Sequence, residues 1–139
     1  MDFVGDKFVD AAGKDMTREE AIGGYKLIMI LYSASWWGGC TPFKNNLKTY
    51  YEKWNENGAK NLQVIVVSGD QNEEGFKSSM EGAPWVALPF GADKAEIEKK
   101  IPCTGYPTPG VLKADGTVVD ADCFGKVNEG SFATWDAWA

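Results

Sequence analysis

Two continuous apolar runs constrain the fold of this chain more than any other feature of its sequence. The first is Leu27–Tyr32 and the second is Leu62–Val67, and each has the length of one β-strand. Runs without polar alternation are typical of strands that are covered on both faces, as in a parallel sheet. Between the runs, apolar residues recur at helical spacing from Phe43 to Trp54, and this helix should end near Asn57-Gly58. The pattern therefore predicts a strand, a helix and a second strand in succession.

The residues before this unit predict a small hairpin and a short helix. Residues 7–16 have the pattern of a hairpin that turns at Gly13. Thr17-Arg18-Glu19-Glu20 is a capping box, in which the hydroxyl of the first residue and the carboxylate of the last each accept a backbone N–H. The helix that follows should stop at Gly23-Gly24.

The residues after the second strand predict two polar helices, a hairpin and a closing helix. The first helix is capped by Asp70 and continues through Met80, and the second covers Asp93–Lys100. Ala114-Asp115-Gly116 indicates a hairpin turn, and residues 131–138 favour a helix. We expect an α/β fold with a mixed central sheet, helices on both of its faces and an N-terminal β-hairpin.

The size and charge of the chain favour one domain whose partners are neither nucleic acid nor anionic lipid. Its 139 residues fit a single domain over residues 1–139, and its formal net charge is −6. The sequence contains no histidine, which excludes Ser-His-Asp and Cys-His catalysis and most zinc-hydrolase sites. We expect no metal and no cofactor, and we interpret acidic stretches such as Glu73-Glu74 as solvated surface.

Several features bear on the cellular compartment. The longest apolar run, Leu27–Tyr32, is far too short to span a bilayer, and residues 1–7 contain no basic segment followed by an apolar one. Three cysteines, an odd number, do not suggest a secreted disulfide framework. We therefore expect no membrane span, no secretory signal and an intracellular location, cytoplasmic by default. A disulfide between Cys103 and Cys123 would need Cα atoms within about 7 Å, and the sequence leaves that pairing open.

The segment between the first strand and its helix is Ser33-Ala34-Ser35-Trp36-Trp37-Gly38-Gly39-Cys40. It resembles the tryparedoxins and nucleoredoxins, which have Ser-Ala-Ser-Trp and then Cys-x-x-Cys at this strand-to-helix corner. The resemblance runs from about Lys7 to the C-terminus and implies a thioredoxin fold. Further matching segments are Thr41-Pro42, Asp70, Glu73-Glu74-Gly75-Phe76, Met80, Pro84-Trp85, Leu88-Pro89-Phe90, Tyr106-Pro107-Thr108 and Ala114-Asp115-Gly116.

The motif departs from the family pattern at the residue that attacks disulfides. By alignment, Trp37 stands at the position of the nucleophilic first cysteine, and Cys40 stands at the position of the second, which resolves the mixed disulfide. Dithiol exchange needs both thiols, and an indole performs neither step. Leu31 stands where thioredoxins have a buried aspartate, which tryparedoxin-type members often lack too, and Gly69 stands where tryparedoxins have a tryptophan. These departures predict loss of the two-cysteine cycle.

Cys40 and Trp37 each have two interpretations. Cys40 could act as a monothiol, because the first turn of a helix favours a thiolate through its unpaired amides and its dipole. Alternatively it is a half-buried resolving cysteine retained for packing, which we favour because reactivity also requires exposure. Trp37 could anchor a partner at an exposed corner, or it could fold over Cys40 and fill space.

The resemblance also implies a polypeptide-binding groove around the motif. Pro107 aligns with the family's cis-proline, whose loop faces the motif and offers backbone groups to an extended peptide. The alternative is a trans proline in an ordinary turn. Trp36 and Trp85 would be core residues or groove walls. The groove residues would be Trp36, Trp37, Gly38, Gly39, Trp85, Tyr106, Pro107 and Thr108.

These residues leave three functional hypotheses. The one we favour is a redox-inactive, thioredoxin-like binding or scaffold subunit whose partners are proteins of a larger assembly. The second is a monothiol enzyme or redox sensor that acts through Cys40. The third is an oxidoreductase that uses cysteines outside the motif, such as Cys103.

Overall fold

The fold is taken from a computed structural model of the chain. It describes residues 5–34, 40–69, 72–80, 82–92, 95–102 and 108–120, with side chains except at positions 40–42 and 79. The predicted closing helix over residues 131–138, Cys103 and Cys123 lie outside these ranges. No helix within them is long and apolar enough to cross a membrane. That residues 1–139 form a single domain stays a prediction.

A mixed β-sheet forms the centre of this described part. Its strands are β1 (Lys7–Val9), β2 (Asp15–Thr17), β3 (Leu27–Ser33), β4 (Leu62–Ser68), β5 (Val86–Ala87), β6 (Thr108–Lys113) and β7 (Val118–Asp120). They are hydrogen-bonded in the order β2-β1-β5-β4-β3-β6-β7. Strand β3 pairs with β4 in parallel and with β6 antiparallel on its other side. The two apolar runs are therefore adjacent parallel strands in the interior of the sheet, and both predicted strands are confirmed.

The helices of the described ranges begin and end close to the predicted positions. They are α1 (Arg18–Ile22), α2 (Cys40–Trp54), α3 (Glu73–Met80) and α4 (Ala95–Lys100). A 3₁₀ turn, Glu56–Gly58, follows α2 and includes Asn57 at φ +61°. Helix α3 follows Asn72, whose Oδ1 accepts the N–H of Gly75 at 2.8 Å. The predicted cap, Asp70, lies outside the described residues.

Helices cover both faces of the sheet because successive residues of a strand point to opposite sides. Met29 and Leu31 pack in a core cluster with side chains of α2 and α3. Ile28 and Ile30 pack in a second cluster with side chains of α1 and α4. All residues of β3 are buried, which explains why this strand shows no polar alternation. The prediction of helices on both faces is confirmed.

Both predicted hairpins are present. Strands β1 and β2 pair antiparallel around Gly13, which has φ +84°, and Asp10 Oδ1 accepts the N–H groups of Ala12 and Lys14, each at 2.9 Å. Strands β6 and β7 pair antiparallel around the turn at residues 114–116. The sequence did not predict β5, because two residues are too few to show a period. This short strand joins the N-terminal hairpin to β4.

The capping box at the start of α1 is confirmed. The N–H of Glu20 donates to the Thr17 hydroxyl at 3.2 Å, and the N–H of Thr17 donates to Glu20 Oε1 at 3.0 Å. The hydrogen bond from the Thr17 backbone is the main cause that lowers the pKa of Glu20 below its ordinary value. A carboxylate that accepts a hydrogen bond is stabilised in its charged form.

This lowered pKa makes the cap sensitive to pH. Its contribution to stability is fully present above the unfolded-state pKa, about 4.3, and is lost as pH falls through the lower folded-state pKa. We expect Glu20→Gln to reduce the loss of unfolding free energy between about pH 5 and pH 3, measured by urea denaturation. The matched control is Glu19→Gln, which removes a neighbouring carboxyl that takes no part in the two capping hydrogen bonds. Equal pH dependence in the two variants would contradict the prediction.

Candidate functional site

Three strands meet at the edge of the sheet where the motif segment begins. In the register of the sheet, Tyr32 lies opposite Thr108 of β6, and Ser33 lies opposite Ser68 of β4. Beyond β4, the N–H of Gly69 donates to the carbonyl of Ser33 at 2.8 Å. This edge therefore brings together the end of β3, the end of β4 and the start of β6. We call it the motif edge.

Small buried residues line this edge. Ser33 and Ala34 have no exposed surface, and Thr108 is 2% exposed. The Ser33 hydroxyl is buried without a hydrogen-bond partner among the described residues. Helix α2 begins at Cys40, so the chain passes from Ser33 to the helix N-terminus within the motif segment. The described residues thus form the floor of the predicted site, while positions 35–39 lie outside them.

Leu31 of β3 lies next to this floor and has no ionisable group. The resemblance aligns Leu31 with the buried aspartate of thioredoxins, and Leu31 has no exposed surface. It pairs with Val66 on one side and with Pro109 on the other. A buried carboxyl near a thiol pair could transfer protons during exchange, and a leucine cannot.

The end of α4 is fixed to the sheet just before residues 103–107. The Tyr32 hydroxyl donates to the carbonyl of Ile101 at 2.6 Å, and this hydrogen bond is buried. Gly110 of β6 lies directly against the Ile101 side chain: a Cβ built on Gly110 would lie 2.8 Å from Ile101 Cδ1 and closer still to Cγ2. Both contacts fix Ile101, the residue that follows α4, against the sheet.

The predicted groove residues have different outcomes. Cys40 begins α2 and Thr108 begins β6, so the backbone of each residue lies at the motif edge. The structure does not describe the side chain of Cys40. Six predicted residues lie outside the described ranges: Trp36, Trp37, Gly38, Gly39, Tyr106 and Pro107.

The prediction that Trp85 is a groove residue is corrected, because this side chain has almost no surface to offer a partner. It is 2% exposed, and its ring meets the ring of Tyr51 edge-on with centroids 5.6 Å apart. It comes directly before β5, whose Val86 lies opposite Ile65 of β4. That register places Trp85 about four residues, or roughly 13 Å, from the motif edge. Trp85 is therefore a core residue.

The tyrosine beside Trp85 belongs to a buried polar network away from the site. The Tyr51 hydroxyl donates to Gln63 Oε1 at 3.0 Å, and Gln63 Nε2 donates to the carbonyl of Ala21 at 2.7 Å. Burial is the main cause that raises the pKa of Tyr51. This network joins α2 to β4 and α1, and none of its members is among the described residues of the motif edge.

No group of three or more acidic, cysteine or histidine side chains within the described ranges could hold a metal ion.

Residues 24–118 match the family described as Thioredoxin-like. The chain belongs to this family. It is 33% identical over 107 residues to tryparedoxin of Trypanosoma brucei brucei, a match that covers 75% of this chain and 73% of the relative. It is also 33% identical over 98 residues to probable nucleoredoxin 3 of Oryza sativa subsp. japonica, which covers 70% of this chain. That match spans only 21% of the nucleoredoxin.

Solved structures show the same fold. Native tryparedoxin I from Crithidia fasciculata superimposes with a TM-score of 0.78 at 27% identity, covering 91% of this chain and 88% of that one. Thioredoxin from Wuchereria bancrofti superimposes with a TM-score of 0.80 over 99% of this chain and 98% of that one, at 24% identity. The thioredoxin fold implied by the motif is confirmed, and so is the similarity to tryparedoxins and nucleoredoxins.

Sequence reasoning missed the contacts that hold Ile101. The only signal was Gly110 inside an apolar strand, since an interior glycine often marks a close approach of another part of the chain. The sequence does not say which part approaches, because α4 and β6 meet only through the tertiary fold.

We expect Gly110→Ala to lower the unfolding free energy by about 1–3 kcal/mol, because the added methyl overlaps the Ile101 side chain. Ile101→Ala alone should cost about 2–5 kcal/mol through the cavity it leaves. The double variant Gly110→Ala/Ile101→Ala should be at least about 1 kcal/mol more stable than the sum of the single losses predicts. Equilibrium urea denaturation of the four proteins measures this coupling, and strict additivity would contradict the close contact.

Proposed function

We propose that this thioredoxin-like chain is a redox-inactive protein-binding or scaffold subunit that has lost the attacking cysteine of its family. The observation behind the proposal is Trp37 at the position of the first motif cysteine, with Cys40 at the second. An intracellular location, cytoplasmic by default, fits this proposal and stays a prediction.

The chemical argument rests on the two steps of dithiol exchange. A thiolate first attacks the disulfide of the partner, and a second thiol then displaces the partner from the mixed disulfide. Trp37 has no sulfur for the first step, and Cys40 lacks a motif partner for the second. Leu31, buried beneath the edge, offers no group to move a proton. Of the two thiols that dithiol exchange requires, the attacking one is therefore missing at position 37.

The geometry of the edge supports binding in the absence of this chemistry. The floor formed by Ser33, Ala34 and Thr108 is buried and contains no thiol, so its packing does not need a Cys-x-x-Cys pair. The contacts of Ile101 with Tyr32 and Gly110 fix the residue after α4 against the sheet. The edge of a sheet can pair with an extended polypeptide through its backbone.

The alternative function is a monothiol oxidoreductase or redox sensor that acts through Cys40. The observation in its favour is that the 15-residue helix α2 begins at this residue, since unpaired amides at a helix N-terminus favour a thiolate. The rate at which a thiol reagent labels Cys40 separates the two functions. Labelling as slow as that of an inaccessible thiol favours the binding function, and labelling faster than that of free cysteine at pH 7 favours the alternative.

We expect the reduced protein not to catalyse insulin disulfide reduction with a dithiol reductant. A rate within about tenfold of a Cys-x-x-Cys relative, a barrier difference of only about 1.4 kcal/mol, would contradict this expectation. Trp37→Cys should pair with Cys40 and restore measurable turnover. Trp36→Cys is the matched control. It adds a thiol one position before the first position of the Cys-x-x-Cys pair, and it should remain inactive. Equal activity of the two variants would show that turnover does not depend on the motif pair.

The proposed binding surface centres on Trp37, Gly38 and Pro107. Truncation of a central aromatic anchor typically costs about 2 kcal/mol or more, so Trp37→Ala should weaken binding of the native partner at least about 30-fold. Affinity purification with the full chain identifies the partner, and calorimetry measures the affinity. Normal binding by Trp37→Ala would end this hypothesis.

The rival surface is the C-terminal segment that contains Trp135 and Trp138. A chain truncated after residue 130 should bind as well as the full chain if the groove is the contact surface. Loss of binding by the truncated chain, together with normal binding by Trp37→Ala, would move the contact to that segment. Circular dichroism of both variants checks that each is folded.

A further inference from the structure

A groove is lined by residues of the N-terminal hairpin and of helix α3, and by Pro89 and Phe90. Its volume is about 380 Å³, within the range of ligand-binding pockets. Val9 of β1 forms part of its base, and helix α3 forms one wall. Asp15 of β2 lies directly opposite Val9 in the antiparallel register, so its side chain projects to the same face. The groove therefore runs between the hairpin and α3.

The wall formed by α3 presents a single stripe of side chains. Glu73, Phe76, Lys77 and Met80 line the groove, and their spacing of three and four residues places them on one face of the helix. Phe90 also lines the groove, with its ring centroid 6.1 Å from that of Phe76. The interior of the groove is thus apolar and its edges are charged.

Phe90 is an unusual surface residue in this protein. It is 38% exposed, and within the described ranges only Val118 is an equally exposed large hydrophobic side chain. Phe90 contacts the ring of Phe76 and lines the groove, so part of this exposed ring belongs to the groove surface. An exposed aromatic ring beside a concave apolar surface is the usual anchor of a binding site.

The charge at the edges of the groove is predominantly negative. Three carboxylates, those of Asp10, Asp15 and Glu73, line it together with one ammonium group, that of Lys77. Neither Asp15 nor Glu73 forms an ion pair with a described residue. Carboxylates at the rim of an apolar site favour a partner that places positive charge beside its hydrophobic group.

We propose that this groove binds an extended peptide segment in which one large apolar side chain is flanked by lysine or arginine. The apolar side chain packs against Val9, Phe76 and Phe90, and the flanking cations lie beside Asp15 and Glu73. From Glu73 to Met80 the helix rises about 10 Å, which is the length of roughly three residues of extended chain. The site goes beyond the binding function proposed for the motif edge, because none of its residues belongs to the motif.

Synthetic peptides test the proposal without any identified partner. The probe is acetyl-Ala-Lys-Phe-Lys-Ala-amide, titrated into the ¹⁵N-labelled full chain and followed by two-dimensional NMR. We expect shifts of the amides of Val9, Phe76 and Phe90. The peptides with glutamate in place of lysine, or with alanine in place of phenylalanine, should each bind at least about tenfold more weakly. Equal binding of the lysine and glutamate peptides would overturn the proposed charge complementarity.

Variants of the chain locate the peptide. Phe90→Ala should weaken binding at least about tenfold, while Val118→Ala, a truncation at an equally exposed position, should leave it unchanged. Glu73→Gln should weaken peptide binding, and Lys77→Gln should tighten it. The matched control is Glu98→Gln on α4, which packs on the other face of the sheet and should leave the affinity unchanged. Unchanged affinity in both Phe90→Ala and Glu73→Gln would overturn the proposal.

The outcome is independent of the function proposed for the motif edge. The peptide experiment involves neither Trp37 nor the native partner. Peptide binding that survives Trp37→Ala and is lost in Phe90→Ala supports the groove, whatever the redox assay shows. Shifts confined to residues at the motif edge would overturn the groove and leave the proposed function standing.

Discussion

The parallel pairing of β3 with β4 is the interaction on which the rest of the structure depends. The register runs from Leu27 opposite Leu62 to Ser33 opposite Ser68 without interruption. Because nearly every side chain of both strands is buried, a shift of one residue would move each of them to the opposite face and disrupt both core clusters. The pairing therefore fixes where both strands end, and with it the location of the motif edge.

Among the described residues, long-range contacts that involve no thiol build the motif edge. The antiparallel pairing of β6 with β3 brings Thr108 beside Tyr32, and the Tyr32 hydroxyl holds Ile101 at the end of α4. The absence of a Cβ on Gly110 lets that helix end approach the sheet closely. A framework of this kind does not depend on the chemistry performed above it. This independence is the physical basis for proposing that binding outlasts catalysis when Trp37 replaces a cysteine.

The groove beside α3 combines partly exposed apolar side chains with charged ones. Val9 is only partly buried against the core cluster that contains side chains of α2 and α3. The ring of Phe90 lies against that of Phe76 of α3 and remains 38% exposed. An exposed apolar surface normally favours association. Here acidic side chains at its edge restrict which partners fit.

The sequence by itself determined the strand–helix–strand unit, the capping box and both hairpins, because each depends on local periodicity or turn chemistry. It could not determine β5, the burial of Trp85 or the contact of Gly110 with Ile101. Those depend on which distant segments become neighbours. Trp85 illustrates the difference: its aromatic character suits a groove wall and a core equally well, and only the register of β5 against β4 placed it in the core, away from the motif edge. Tertiary structure decided these features because packing between segments far apart in the chain leaves no periodic signal in either one.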